Sequence, residues 1–90
     1  MPVVWRTRAL ADISRVIRYI TPDNPVAALR VARELLLAGD SLAAFPMRGR
    51  PGRQQGTREL VTIKPYIIVY RVSGPEIITI LRIWHAAQER

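Results

Sequence analysis

The sequence predicts an α+β fold: a short N-terminal strand, an αα-hairpin, then a three-stranded antiparallel meander (a βααβββ order). Three observations predict it. Between Thr57 and His85, three apolar runs are separated by Lys64-Pro65 and Ser73-Gly74-Pro75; β-branched and aromatic residues between such punctuation mark consecutive antiparallel strands. Upstream, Leu10, Ile13, Ile17 and Ile20 recur at three- and four-residue spacing, the period of an amphipathic helix. A second helical stretch follows the break Thr21-Pro22-Asp23-Asn24-Pro25. Two amphipathic helices need an apolar wall, and the meander supplies it.

Each element has its own signal. Pro2-Val3-Val4-Trp5 is short, apolar and β-prone, and Thr7 is the expected N-cap of the first helix, because a threonine hydroxyl can accept from an orphan backbone N–H. Along that helix Arg8, Asp12, Arg15 and Arg18 are expected away from the apolar stripe. Asn24-Pro25 makes an N-cap and N1 pair. The second helix is expected from Pro25 to Ala44, with a stripe of Leu29, Ala32, Leu36, Gly39 and Ala43 flanked by Leu35 and Leu42. Gly39 inside a helix costs about 1 kcal/mol relative to alanine, which predicts a close approach there by the first helix or the sheet. Phe45 is expected under the end of the sheet. The segment 46–56 carries prolines, glycines and three arginines without an acid; it reads as a solvated connector or as a basic lip beside a binding surface.

The strands are expected over Arg58–Ile63, Tyr66–Val72 and Glu76–His85. The second is apolar at nearly every position before Arg71, as in a central strand covered on both faces. In the third, strict alternation puts Ile77, Thr79, Leu81, Ile83 and His85 on one face and Ile78, Ile80, Arg82 and Trp84 on the other. The first set is assigned to the core, so Arg82 and Trp84 are expected to look away from the helices.

Ninety residues make a single domain, 1–90, with no room for a second core. Without cysteine and with His85 as the one histidine, disulfide frameworks, thiolate metal sites and multi-histidine clusters are excluded, so no metal or cofactor is expected. The apolar runs fall well short of the roughly 20 residues that span a bilayer, and the start of the chain lacks a secretory apolar core; a cytoplasmic protein without membrane contact is expected. Fourteen basic residues, thirteen of them arginine, face seven acidic ones for a net charge of +7. That excess favours a polyanionic partner, nucleic acid or an acidic protein segment.

Chemistry-bearing motifs are sparse. Phosphate loop, HExxH helix and G-x-S-x-G elbow are all missing. A metal-free ribonuclease would need a proton acceptor, a donor to the leaving oxygen and cations for the charge on phosphorus. Arg58, Arg71 and Arg82 are candidate cations, His85 is the candidate proton-transfer group because histidine is the residue type with an unperturbed pKa near neutrality, and Tyr66 or Tyr70 is a candidate assistant. Trp84 can stack on a base or bury against a partner.

The residues resemble a known family. Leu10-Ala11-Asp12-Ile13 through Tyr19-Ile20, Asn24-Pro25-Val26-Ala27-Ala28, Leu42 through Pro51, Arg58-Glu59-Leu60, Tyr66 through Val72 and Ile80 through His85 appear in the order found in RelE/ParE superfamily toxins of type II toxin–antitoxin modules. The long second helix and the Phe45–Pro51 stretch are most similar to ParE-type members. That resemblance implies a growth-inhibiting toxin, not itself a nuclease, that poisons DNA gyrase and is neutralised by a ParD-like antitoxin. Arg58, Arg71, Arg82, Trp84 and His85 are then the expected antitoxin- or target-binding residues. The alternative within the superfamily is a RelE-like endoribonuclease acting on ribosome-bound mRNA, with Arg58 and Arg82 as phosphate clamps and His85 as the proton-transfer group. The sequence departs from that pattern: lysine is almost absent, no tyrosine follows Tyr70, and Ala86 stands after His85. A degenerate toxin retaining only antitoxin binding is the second alternative.

Overall fold

The computed structural model describes residues 2–74 and 77–87. Its elements are β1 (Val3–Trp5), α1 (Thr7–Ile20), α2 (Pro25–Asp40), a single 3₁₀ turn (Ser41–Ala43), β2 (Arg50–Pro51), β3 (Arg58–Leu60), β4 (Tyr66–Ser73) and β5 (Ile77–His85). The expected strand start at Glu76 lies outside the described residues. One sheet of five strands runs β1-β5-β4-β3-β2. β2 to β5 pair antiparallel, whereas β1 joins β5 in parallel. The helical hairpin covers one face of this sheet, which is the α+β architecture the sequence predicts.

Two corrections concern the strands. The segment 46–56 is not a bare connector: Arg50 and Pro51 pair with Glu59 and Arg58 and add a fifth strand. β3 ends at Leu60 rather than Ile63. β4 meets the expectation of a central strand, since Tyr66, Ile67, Ile68, Val69 and Tyr70 are all buried.

β5 differs from strict alternation in a way that reassigns its faces. Val69 pairs with Arg82 but Tyr70 pairs with Ile80, so Leu81 is an extra residue in a β-bulge. A bulge sets two residues opposite one and bends the strand. Ile78, Ile80 and Ile83 are consequently the core residues, while Ile77 is exposed and Leu81 only half-buried. Of the expected core residues Ile77, Leu81 and Ile83, the expectation is right only at Ile83, and Arg82 turns toward α1 instead of outward.

The helices are rotated by about one residue from the expected stripes. In α1 the buried residues are Ala9, Asp12 and Ile13, with Val16, Ile17 and Ile20 packed at the edge, and Leu10 is exposed. Thr7 is not the N-cap. Arg6 donates its N–H to the Ile80 carbonyl at 3.0 Å, continuing the strand pairing, and serves as N-cap without a side-chain bond. Asn24 caps α2 as expected, accepting from the Ala27 N–H at 3.0 Å with Pro25 behind it. α2 buries Ala28, Val31, Ala32, Leu35, Ala38 and Gly39; Leu29, Leu36 and Leu37 point outward. It ends at Asp40, and Phe45 beyond it is exposed rather than tucked under the sheet. Small side chains on the inner face let neighbours approach closely. A Cβ on Gly39 would overlap the six-membered ring of Trp5 from β1, and Trp5 Nε1 also donates to Asp40 Oδ1 at 3.1 Å.

Candidate functional site

The residues singled out in the sequence separate into three places. Arg82 lies at the helix–sheet junction. Its Nε donates to Asp12 Oδ2 at 2.8 Å and an Nη donates to Oδ1 at 3.0 Å, while the Ile83 N–H donates to the same carboxylate at 2.9 Å. Two parallel bonds from one guanidinium are the strong form of this pair. Asp12 itself is 2% exposed, and Arg15 adds a further bond to its Oδ1 at 3.0 Å. Burial works to raise the Asp12 pKa, but the Arg82 bonds, the Ile83 amide and the charges of Arg82 and Arg15 outweigh it, holding the carboxyl below its ordinary value.

Arg58 sits elsewhere, near the turn of the basic segment, where it donates to the Gly49 carbonyl. It borders a shallow cleft of about 260 Å³ with Met47, Pro51, Gly56, Thr57 and Val72. The segment 46–56 is held by its neighbours. The Tyr70 hydroxyl donates to the Pro46 carbonyl at 2.7 Å and accepts from the Gly49 N–H at 2.9 Å. Glu59, buried, accepts from Arg50 through Oε1 and from the Arg53 N–H through Oε2. Arg71 and Trp84 occupy a third place, the sheet face away from the helices: Trp84 pairs with Ile67, and Arg71 follows the core residue Tyr70, so alternation turns both outward. Arg71 is exposed and makes no ion pair among the described residues.

His85 faces the helices. Its ring meets Tyr66 edge-on, with centroids 5.6 Å apart and planes at 88°. Together they close a cleft of about 120 Å³ lined by Asp12, Arg15, Val16, Tyr19, Tyr66, Ile83 and His85. Burial and the adjacent Tyr19 phenol raise the Tyr66 pKa, so its hydroxyl keeps its proton as a donor. His85 Nδ1 accepts from the Ala87 N–H at 3.2 Å, which places the proton of the neutral ring on Nε2.

The structure thus brings His85 close to Arg82 through Asp12, and leaves Arg58, Arg71 and Trp84 apart from them. Sequence reasoning missed Asp12, Arg15 and Tyr19 as site residues. An acid three residues after Ala9 and beside Ile13 was the available signal, since that spacing returns to the same helix face. The outer helical surface is a further feature: Leu10 on α1 and Val26, Leu29, Leu36 and Leu37 on α2 are exposed, an apolar display that marks interaction surfaces.

Residues 3–90 match the family described as the ParE toxin of the type II toxin–antitoxin system parDE. The chain belongs to that family. It is 46% identical over 86 residues to toxin RelE2 of Caulobacter vibrioides, covering 96% of each chain. It is 45% identical over 86 residues to the putative toxin Y4kP of Sinorhizobium fredii, covering 94% of this chain and 88% of the relative. Among solved structures, the chromosomal ParDE system of P. aeruginosa superposes with a TM-score of 0.84 at 28% identity, covering 94% of this chain and 95% of that one. The RelBE2 toxin–antitoxin complex of Mycobacterium tuberculosis shares the fold, with a TM-score of 0.70 at 21% identity over 93% of this chain and 95% of that one. Among the described residues, no helix is long and apolar enough to cross a membrane.

Proposed function

We propose that this toxin acts as a ParE-like poison of DNA gyrase and is neutralised by a ParD-like antitoxin, without cutting RNA itself. The observation that carries this reading is the commitment of Arg82. A phosphate clamp must present its donors to the ligand, whereas Arg82 turns two of its nitrogens, Nε and an Nη, to the buried Asp12 carboxylate, and the neighbouring Ile83 N–H completes the cage. Arg58, the second expected clamp, binds the Gly49 carbonyl at a different cleft. The three groups the ribonuclease would need therefore do not converge on one point, and proton transfer with charge stabilisation requires such convergence. The outward arrangement of Arg71 and Trp84 suits a docking face for a macromolecular target instead.

The family match to ParE and the likeness to the P. aeruginosa ParDE structure support the same choice; the RelE names of the Caulobacter relatives keep the ribosome-dependent ribonuclease as the second reading. A paired assay separates them. Purified gyrase with excess toxin is expected to lose supercoiling and accumulate cleaved DNA, while ribosome-bound mRNA stays intact. Normal supercoiling beside codon-register cuts in the message would reverse the assignment, and an inert chain in both would leave a toxin that only binds antitoxin.

A further inference from the structure

The cleft between α1 and the paired ends of β4 and β5 is assembled unlike a packing defect. Four donors surround it: the Arg15 guanidinium, the Tyr19 and Tyr66 hydroxyls and the His85 ring. Its one acid, Asp12, is already saturated by Arg82 and the Ile83 N–H. Arg15 gives Asp12 a single bond, and a guanidinium carries five N–H donors. Neither tyrosine hydroxyl makes a hydrogen bond among the described residues. Arg15 sets a guanidinium at the rim of the cavity, with its side chain 59% exposed. Val16 and Ile83 form an apolar floor.

We propose that this cleft receives a carboxylate-bearing side chain, glutamate or aspartate, from the antitoxin; the identity of the donor rests on the toxin–antitoxin reading above. The volume of about 120 Å³ is well below the roughly 300–1,000 Å³ of sites that enclose whole small molecules, so it admits a side chain and not a nucleotide. The apolar floor accepts the methylenes, and the donors at the rim accept the charge. The surplus of +7 over the whole chain draws an acidic partner to this surface.

The test uses the isotope-labelled full chain titrated with glutarate and, separately, with inorganic phosphate, followed by NMR. Glutarate is expected to shift Val16, Ile83 and His85 saturably, with the response lost in Arg15→Gln and weakened in Tyr66→Phe. Arg15 is solvent-facing, with its side chain 59% exposed, so the first variant keeps the fold; the second removes only a hydroxyl. Affinity for the antitoxin encoded beside the toxin is expected to fall about tenfold or more in Arg15→Gln, the scale of a lost hydrogen bond to a charged group. Shifts that never saturate, or that survive Arg15→Gln, overturn the site. Tighter saturation by phosphate than by glutarate overturns the occupant in favour of a nucleic acid, and unchanged antitoxin affinity in the variant overturns the antitoxin as the donor. Failure of any antitoxin to relieve growth arrest by the unaltered chain counts against the functional reading instead, because the glutarate titration does not depend on it.

Discussion

At the scale of single residues, Asp12 decides most. It lies on the inner edge of α1, where a carboxylate is tolerated because Arg82 and the Ile83 N–H meet it, with Arg15 adding one outer bond. Breaking such a pair from one side leaves the other charge stranded, at about 3–5 kcal/mol for buried pairs. Arg82 retains a side-chain exposure of 21% and can recover some hydration, so Asp12→Ala is expected to cost about 3 kcal/mol in denaturant unfolding, the low end of that range. The pH dependence follows from the same bonds. The folded carboxyl titrates below its unfolded value of 3.8, so its contribution is present above that value and is lost as the pH falls through the folded pKa. Acid unfolding of the parent below about pH 4 is therefore expected to be steeper than that of Asp12→Ala. Hydropathy alone could not expose this residue. It ranks Asp12 with the solvated arginines on either side, and only its partner, seventy positions downstream, makes the inner position favourable.

Among the elements, the segment between the 3₁₀ turn and β3 shows what composition conceals. Proline, glycine and arginine predicted a free connector, yet Tyr70 and Glu59 reach from the sheet to hold it. Tyr70→Phe removes both hydroxyl bonds and leaves the buried Gly49 N–H without its acceptor. An unsatisfied buried donor costs about 1–3 kcal/mol, and hydrogen exchange is expected to accelerate at Gly49 and Gly52 well before it does in the helices. Uniform acceleration across the chain would show instead that the segment unfolds only with the whole domain. The order of elements was legible from periodicity and punctuation, and so were the Asn24-Pro25 start of α2 and the buried centre of β4. The facing of α1 and α2 was not. Matching large residues to the core placed Leu29 and Leu36 inside, whereas α2 packs through Ala28, Val31, Ala32, Leu35, Ala38 and Gly39, and Gly39 permits the close contact with Trp5 that a side chain there would block. Of the candidate site, His85 and Arg82 were legible as residues, but their separation by Asp12 required the third dimension.

For the whole molecule, the governing quantities are its charge and its unpartnered apolar face. Several acids are engaged internally, by Arg82, Arg50 and Arg30 among others, so most of the positive surplus is available to a partner. With a net charge of +7 on this chain, association with the antitoxin is expected to be electrostatically steered, its rate constant falling steeply between low salt and about 0.5 M salt, because screening lengths there drop below about 10 Å. Stopped-flow association across that series measures it. A rate indifferent to salt would assign recognition to the exposed leucines of α2 alone. The extra residue at Leu81 has a consequence for how such a molecule can change. It sets the two halves of β5 half a pleat out of phase, one half in step with β1 and the other in step with the cleft. Substituting Leu81 leaves that phase intact, whatever the new side chain. Removing or adding one residue there would exchange inner and outer positions for everything after it, carrying His85 away from Tyr66 and Arg82 away from Asp12 together. The chain's length at that point, more than the identity of any residue in the cleft, keeps the cleft assembled.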